Sequence, residues 1–329
     1  CCNMSYKKIS DITGFSVSTI SKAFSQSKEI SDRTKKKIYE AAAELGCFDK
    51  YYKDKYPRRI AAVICPELKS RYISAITEAV LHMLQQNDFL ALISTSDFNP
   101  EREREFAEYY ALYSKVDAII FITPTLNEIK RYTIPVVSIG KHVENADEVG
   151  IDLWKATYDA VRLFKENGHT RIAFIGERLT AAKEKHFISA MKRLKLPVTP
   201  QLVIRSRKRF ENAGRDSISY LMSIDEPPTA ILAAYDNIAI GAIYALKSQG
   251  FNVPGDVSVI GMDDIADAQN ILPPLTTVKT FITDAAFTAV DMIIKKINNP
   301  YYKAIQKTSI RAELVKRESV GPVCRQTIL

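Results

Sequence analysis

The chain has 329 residues, of which 46% are hydrophobic and 26% are charged, a balance typical of a globular protein rather than a disordered one. That length is too great for one small core and indicates two or three domains. No apolar run approaches the roughly 18 residues needed to span a bilayer, and the N-terminal segment has no apolar signal core, so we expect a cytoplasmic protein with no membrane partner. The five cysteines form no C-x-x-C pair, which favours a reducing compartment and argues against a zinc site.

The net charge of +8 is concentrated at the N-terminus. Residues 1–59 hold thirteen Lys or Arg against seven Asp or Glu, a balance of +6, which leaves +2 for the remaining 270 residues. A small basic segment joined to a nearly neutral body indicates a polyanion-binding module attached to a larger domain.

Residues 1–47 predict three short helices. A first helix, near 6–13, is followed by Gly14, which can adopt the positive φ of a tight helix-to-helix turn. Ser16 and Ser31 stand at N-cap positions of a second and a third helix, and Gly46 would close the third. Two short helices about a glycine turn, braced by a third, are the pattern of a helix-turn-helix DNA-binding domain.

The second of these helices carries the predicted DNA-reading surface. In GFSVSTISKAF, Ile20, Ala23 and Phe24 keep helical spacing and should pack inward, which leaves short hydroxyls and a lysine outside. Short hydroxyl side chains let a helix lie deep in the major groove and bond phosphates and base edges. A polar face on a protein-interaction domain is the other interpretation of this pattern. The predicted DNA-contacting residues are Ser16, Val17, Ser18, Thr19, Ser21, Lys22, Ser31 and, in a linker at 48–59, Tyr56.

Beyond residue 59, short apolar runs alternate with helical periodicity. Runs rich in Val and Ile, separated by helices, predict parallel strands covered on both faces, and seven or more strands over about 270 residues fit two open α/β sheets. We expect an effector-binding domain at 60–329, with a first lobe at about 60–153 and 280–306 and a second lobe at about 154–278 and 307–329. The seven runs are RIAAVICPE, FLALISTSD, VDAIIFITP, IPVVSIG, RIAFIGE, PTAILAAYD and VSVIGMDD.

A ligand site is expected beyond the carboxyl ends of these strands, where open α/β sheets bind small molecules. Hydroxyls, carboxylates and aromatic rings at such ends suit a sugar or a nucleoside, although helix caps and turns use the same residue types. Asp263 and Asp264 are adjacent and should diverge, so we expect at most one of them in a cleft. The candidates at strand ends are Ser70, Tyr72, Ser96, Thr123, Tyr235, Asp236 and Asp263.

Several motifs together resemble the lactose-repressor (LacI/GalR) family of bacterial transcription regulators. They are, in order, KISDITGFSVSTISKAF, EISDRTKKKIYEAAAELG, RIAFIG, DNIAIGAIYAL, VSVIGMDD and PPLTTVKT. The resemblance covers nearly the whole chain. It implies a homodimeric repressor with a helix-turn-helix head and a periplasmic-binding-protein-like body of two parallel α/β lobes, which binds operator DNA and a sugar-like effector in the interlobe cleft. It also implies that Val17, Ser18 and Lys22 read bases, while Thr19 and Ser21 contact the DNA backbone.

The chain departs from the family pattern at several positions. Lys22 stands where arginine is usual, which removes the bidentate fork on guanine. The family's hinge helix inserts a leucine into the minor groove, whereas here Tyr56 lies nearest that position; a flexible basic linker is the alternative. Lys183 stands where the family has an arginine that binds sugar hydroxyls, and Tyr235 stands where it has an asparagine. The resemblance therefore adds Lys183 to the effector-site candidates. The two replacements also predict a ligand different from those of well-known members.

Two rival functions remain at this point. An α/β enzyme acting on sugars or nucleosides could use Asp236 and Asp263 as an acid/base pair, but the sequence has no nucleotide-binding loop or nucleophile motif, and we expect no enzyme. A sensor that binds a phosphocarrier protein is the other rival. The dispersed histidines predict no metal site, and we expect no cofactor. The basic run RSRKRFENAGR is predicted as a solvated loop, and the stripe on the helix at 75–84 as a dimer face or as core.

Overall fold

The computed structural model describes residues 2–25, 27, 29–45, 59–114 and 116–323. Gly46, Tyr56 and all but the last residue of the predicted linker lie outside these ranges. The chain divides into two compact units: Cys1–Ile60 with Asp88–Leu90, and Ala61–Asn87 with Ala91–Leu329. None of the described helices combines the length and the apolar character that crossing a bilayer requires.

The first unit contains three helices, α1 (Cys2–Thr13), α2 (Val17–Phe24) and α3 (Asp32–Glu44). Gly14 joins α1 to α2 with φ +72°, a conformation that glycine adopts without steric cost. Ser16 accepts a hydrogen bond from Thr19 N, and Ser31 accepts one from Thr34 N. The predicted turn glycine and both predicted N-caps are therefore confirmed.

A small apolar core holds the three helices together. Phe24 stacks on Tyr6 with ring centroids 5.5 Å apart, and the Tyr39 hydroxyl donates to Ala23 O at 2.6 Å, which ties α3 to α2. The face of α2 that bears Ile20, Ala23 and Phe24 is thereby fixed inward, as its spacing predicts. The buried residues are Ile9, Ile20, Ala23, Phe24, Ile38, Ala41 and Ala42.

The second unit begins with a parallel α/β lobe. Its strands β3 and β4 are buried along their whole length, as expected for a sheet covered by helices. Its helices are α4 (Arg71–Gln86) and α5 (Pro100–Glu108), the latter running into a π-helical turn at Tyr109–Tyr113. The strands are β1 (Arg59–Cys65), β2 (Phe89–Thr95), β3 (Ala118–Ile122), β4 (Val136–Ile139) and β5 (Asp147–Asp152).

A second lobe follows, with four parallel strands in the order β7-β6-β8-β9. Ile, Val, Ala and Phe side chains from both faces of this sheet fill one continuous core. The strands are β6 (Ile172–Glu177), β7 (Val203–Ser206), β8 (Ala230–Ala233) and β9 (Ser258–Ile260). The helices are α6 (Trp154–Glu166), α7 (Ala181–Arg193), α8 (Phe210–Leu221) and α9 (Asp236–Ser248).

The chain then returns to the first lobe. After β10 (Thr277–Lys279), α10 (Ile282–Asn298) packs on α4. Next, β11 (Lys307–Arg311) pairs with β5, which gives a first-lobe sheet in the order β11-β5-β4-β3-β1-β2. Finally β12 (Glu313–Val315) pairs with β10. The chain thus passes between the lobes three times.

One expectation needs correction. The sequence places 307–329 in the second lobe, yet Lys307–Arg311 completes the first-lobe sheet through backbone pairing with β5. The segment KTSIR is a largely exposed edge strand, and an edge strand need not carry the apolar pattern of a central one. For the α4 stripe, a dimer face or core by sequence, Ile76, Val80 and Leu84 are core residues, fully buried within their own lobe, while Leu81 is half-buried.

Candidate functional site

The outer face of α2 presents the side chains predicted to read DNA. Val17 is 42% exposed, Ser18, Ser21 and Lys22 are exposed, and Thr19 is half-buried. An apolar γ-methyl, short hydroxyls and an ammonium therefore lie on one exposed strip of an eight-residue helix whose opposite side is core. A strip of this size and chemistry fits the major groove.

Several polar side chains of this strip already form hydrogen bonds within the three-helix unit. The Ser16 hydroxyl lies 2.8 Å from both the Ser18 and the Thr19 hydroxyl oxygens. Lys22 Nζ donates to Glu29 Oε2 at 2.5 Å, and this bond lowers the pKa of the Glu29 carboxyl. A phosphate or base edge must therefore compete with Glu29 for the Lys22 ammonium, in an exposed pair of the kind that contributes little to stability.

A cavity of about 470 Å³ lies between the two lobes, at the carboxyl ends of their strands. This is the position expected for a ligand in an open α/β fold. The cavity is lined by six of the eight predicted effector-site residues: Ser70, Tyr72, Thr123, Lys183, Tyr235 and Asp263.

The other two predicted residues do not line the cavity. Ser96 is fully buried and donates to Glu103 Oε1 at 3.0 Å. Asp236 is fully buried at the start of α9, where it accepts from Thr277 Oγ1 at 2.5 Å and from Ile265 N at 2.9 Å. Burial raises the pKa of Asp236 well above its usual value. Asp236 thus anchors a loop from behind, and the prediction that both residues line the cleft is wrong.

The second-lobe wall of the cavity carries an ion pair. Lys183 Nζ donates to Asp263 Oδ1 at 2.9 Å and to Ala234 O at 2.8 Å. Burial raises the pKa of Asp263, and the Lys183 ammonium opposes that shift. Asp264 points away and pairs with Arg317 at 2.7 Å, so the expectation that the two neighbouring aspartates diverge is confirmed.

Arg209 links the two lobes across the cavity. Its guanidinium donates two bonds to the Glu67 carboxylate, at 2.7 and 3.0 Å, and its Nε donates to Glu177 Oε1 at 3.1 Å. The guanidinium carbon lies 5.0 Å from the Phe98 ring centroid and 4.6 Å from that of Phe210. Glu67 and Phe98 belong to the first lobe, whereas Arg209, Phe210 and Glu177 belong to the second. The expectation that RSRKRFENAGR is a solvated loop is therefore wrong: residues 205–206 end β7, residues 210–215 begin α8, and Arg209 between them is ion-paired.

A second ion pair, between Arg71 and Asp267, also joins the lobes. Tyr235 supports the contact between Arg209 and Glu177, because its hydroxyl donates to Glu177 Oε1 at 2.8 Å and accepts from Phe210 N at 3.0 Å. Burial raises the pKa of Tyr235, so the phenol stays a protonated donor at neutral pH.

The first-lobe wall is formed by the loops after β3 and β4. Thr123, at φ +43°, and Thr125 line the cavity together with Lys141. Lys141 Nζ donates to Thr125 O at 2.6 Å and to Leu126 O at 3.2 Å. Burial lowers the pKa of Lys141.

Sequence reasoning missed Lys141, Glu177, Arg209 and the rings of Phe98 and Phe210. Lys141 directly follows the predicted strand IPVVSIG and Glu177 ends RIAFIGE, so the strand-end rule applied to every strand would have found both. Arg209 follows β7, a short strand with no fully buried residue, whose sequence carries no strand signal.

Comparison with known proteins agrees with this architecture. The profile of the periplasmic binding protein-like domain matches residues 161–320. The HTH-type transcriptional regulator DegA of Bacillus subtilis is 28% identical over 334 residues, covering 96% of this chain and 97% of that protein. The HTH-type transcriptional repressor PurR of Actinobacillus pleuropneumoniae is 26% identical over 331 residues, covering 95% and 97%.

A solved structure extends the comparison to the fold. A LacI family transcriptional regulator from Enterococcus faecium with bound ribose superimposes with a TM-score of 0.69 at 22% identity, covering 80% of this chain and 100% of that one. The helix-turn-helix relatives span the head as well as the two-lobed body described above. The chain is therefore similar over nearly its whole length to helix-turn-helix transcription regulators, and its two-lobed body shares the fold of a LacI family regulator.

Proposed function

We propose that the protein is a transcriptional repressor that acts in the cytoplasm, binds operator DNA through α2 and is controlled by a small effector in the interlobe cavity. The observation that carries this proposal is the exposed strip of Val17, Ser18, Ser21 and Lys22 on the capped helix α2. Thr19 and the basic charge of residues 1–59 support it, because phosphate contacts supply much of the affinity for a duplex.

A sugar-like effector fits the cavity in size and position. Drug-sized and metabolite ligands occupy cavities of roughly 300–1,000 Å³, and this one measures about 470 Å³. The solved regulator with bound ribose shares the fold, which supports a sugar-like ligand for this chain. Aromatic rings from Tyr72 and Phe210 line the cavity and can cover the apolar face of a sugar ring.

The mechanism we propose is a population shift between two relative positions of the lobes. The Arg209–Glu67 and Arg71–Asp267 pairs bridge the lobes in the conformation described here. An effector that binds more tightly to this conformation, or to a conformation that lacks both ion pairs, changes the populations of the two. Coupling energies of about 1–3 kcal/mol are typical of such control.

We propose a homodimer, which presents two copies of α2 to a two-fold operator. The edge strand β2 supports this, because Leu92 and Ile93 on it are 40% and 43% exposed. Tyr109, Leu112 and Tyr113 on the adjoining π-helical turn are also exposed, and exposed apolar patches of this kind mark association surfaces. Sedimentation of the wild type as a dimer and of Ile93→Asp as a folded monomer would agree with this surface.

The rival enzyme has no geometric support. Its acid/base pair required Asp236 and Asp263 to face one space, yet Asp236 is fully buried and bonded to Thr277 and Ile265. The phosphocarrier partner stays a prediction, and adding such a protein to an operator-binding assay tests it.

The test of the proposed function is the selection of bound fragments from a genomic library, followed by footprinting of the enriched site. We expect one short two-fold sequence, with an affinity that falls steeply as salt rises. Enrichment of no sequence, or an affinity for duplex that does not respond to salt, would contradict the proposal.

A further inference from the structure

The first-lobe wall of the cavity holds an ammonium group that no carboxylate neutralises within the cavity. Lys141 lines the cavity and is held by two carbonyl oxygens, those of Thr125 and Leu126. Within the described part of the chain it forms no salt bridge. An ammonium group carries three N–H donors, so a further donor is available to a ligand.

The carboxylate of Glu103 acts on the Lys141 ammonium electrostatically, but it does not form an ion pair with it. Glu103 is 1% exposed and does not line the cavity. Its two oxygens accept bonds from the Ser96 hydroxyl, from Thr125 N and from Leu126 N. Glu103 is therefore committed to holding the loop that carries Thr125, behind the cavity wall.

Two hydroxyl oxygens lie in the same wall without partners. Thr123 Oγ1 and Thr125 Oγ1 are buried, and neither has a hydrogen-bond partner among the described residues. A buried polar atom without a partner is unfavourable and favours a ligand group that supplies one. Both residues line the cavity, so a χ1 rotation of either side chain would turn its covered hydroxyl toward a ligand bound beside Lys141.

The cations of the opposite wall are paired. Lys183 is bonded to one oxygen of Asp263, and Arg209 to Glu67 and to one oxygen of Glu177. Among the described residues that line the cavity, Lys141 is thus the cation without a carboxylate partner, and such a group matches an anion rather than a neutral polyol.

We propose that the effector is a small polyol bearing one anionic group, a carboxylate or a phosphate, and that Lys141, Thr123 and Thr125 bind that group. This inference rests on the proposed function, because it names the chemical class of the effector. It also assigns Lys141 as the residue that distinguishes charged from neutral ligands.

Titration calorimetry on the full chain tests the inference with matched probes. The probes are glucose, gluconate and glucose 6-phosphate, then ribose and ribose 5-phosphate, with inorganic phosphate as the bare charge. We expect a carboxylated or phosphorylated probe to bind at least tenfold more tightly than its neutral parent. The gluconate and phosphate arms distinguish the two anion types.

Variants of Lys141 locate the effect. Lys141→Gln should lose at least tenfold in affinity for the anionic probe and with it the preference over the neutral parent, while Lys141→Arg should retain the preference. Lys130→Gln, an exposed first-lobe lysine outside the cavity, serves as the matched control and should bind like wild type. Circular dichroism shows whether each variant is folded.

Three results would overturn the inference: neutral parents that bind as tightly as their anionic forms, no anionic probe that binds, or an unchanged anion affinity in folded Lys141→Gln. Operator binding measured on the same preparations separates this failure from failure of the proposed function. A protein that binds its operator without an anion preference refutes only the effector class.

Discussion

Neighbouring residues in this protein can face the cavity and the core, respectively. Tyr235 lines the cavity, whereas Asp236, the next residue, is buried beneath the loop that carries Asp263. The strand-end rule located this point of the chain correctly but could not separate the two side chains. Which of them faces the cavity depends on the backbone turn into α9, with Tyr235 in an extended conformation, and that is a tertiary property.

His169 makes the stability of the second lobe depend on pH. Its ring is 1% exposed and bonds to Thr229, Ser258 and the Gly321 carbonyl at 2.9–3.0 Å. Burial lowers the pKa of His169 below 6.5, so in the window beneath that value the unfolded chain binds a proton that the folded chain does not. The free energy of unfolding should therefore fall as pH drops through this window and be fully present above it.

Thermal unfolding of the wild type and of His169→Gln between pH 8 and pH 5 measures this effect. The stability advantage of the wild type should be greatest above pH 7 and shrink as the pH falls, because glutamine does not titrate. Curves that stay parallel over the whole range would contradict the assignment to His169.

At the scale of elements, apolar content decided what the sequence could predict. All seven apolar runs form strands, and the second and third head helices begin at their predicted caps, whereas the first begins at Cys2, earlier than predicted. Five described strands escaped prediction, because none of them contains more than two consecutive apolar residues: β5, β7, β10, β11 and β12. Of these, β7 and β11 are edge strands held by backbone pairing. Periodicity cannot reveal a strand whose side chains bury little.

The crossing of α8 and α9 depends on two glycines. A Cβ at Gly241 would lie 2.1 Å from Glu211 O, and a Cβ at Gly214 would lie 2.1 Å from Ile238 O. Both obstacles are backbone atoms, which no rotamer change can move. Gly241→Ala should therefore destabilise the protein by about 3 kcal/mol or more, as severe overpacking does.

Urea unfolding monitored by circular dichroism checks this prediction. Gly255→Ala is the matched control, since a Cβ there would meet only Asn252 Cβ at 3.4 Å, and it should stay close to wild type. Equal midpoints for the two variants would show that the helices can separate at little cost.

At the scale of the whole molecule, the two-lobed body was predictable, but the contact between its lobes was not. Arg209 and Glu67 are 142 residues apart in sequence, and neither belongs to a sequence motif from which the other could be predicted as its partner. Only the fold brings the ends of β1 and β7 to the same cavity. For the same reason the return of Lys307–Arg311 to the first sheet had no signal in the sequence.

The Arg209–Glu67 pair should stabilise the bridged arrangement of the lobes. Side-chain exposures of 30% and 11% place it between surface and buried pairs. We expect Glu67→Gln to lower stability by about 1 kcal/mol, which corresponds to a fall of about 2 °C in Tm for a unit of this size. Scanning calorimetry measures the change.

Glu226→Gln is the control for this prediction. It breaks the Arg171–Glu226 pair within the second lobe, where Glu226 is 74% exposed, and should change Tm very little. A shift no larger in Glu67→Gln than in Glu226→Gln would mean that the bridge between the lobes adds no stability.

The central claim is that α2 reads operator DNA. Fluorescence anisotropy with the selected operator, comparing the wild type with a variant in which Val17, Ser18 and Lys22 are all alanine, tests it most directly. Each lost base contact is worth about 1–3 kcal/mol, so we predict at least a hundredfold weaker binding to the operator and a much smaller change on unrelated duplex. A folded triple variant that binds the operator as tightly as the wild type would contradict the account.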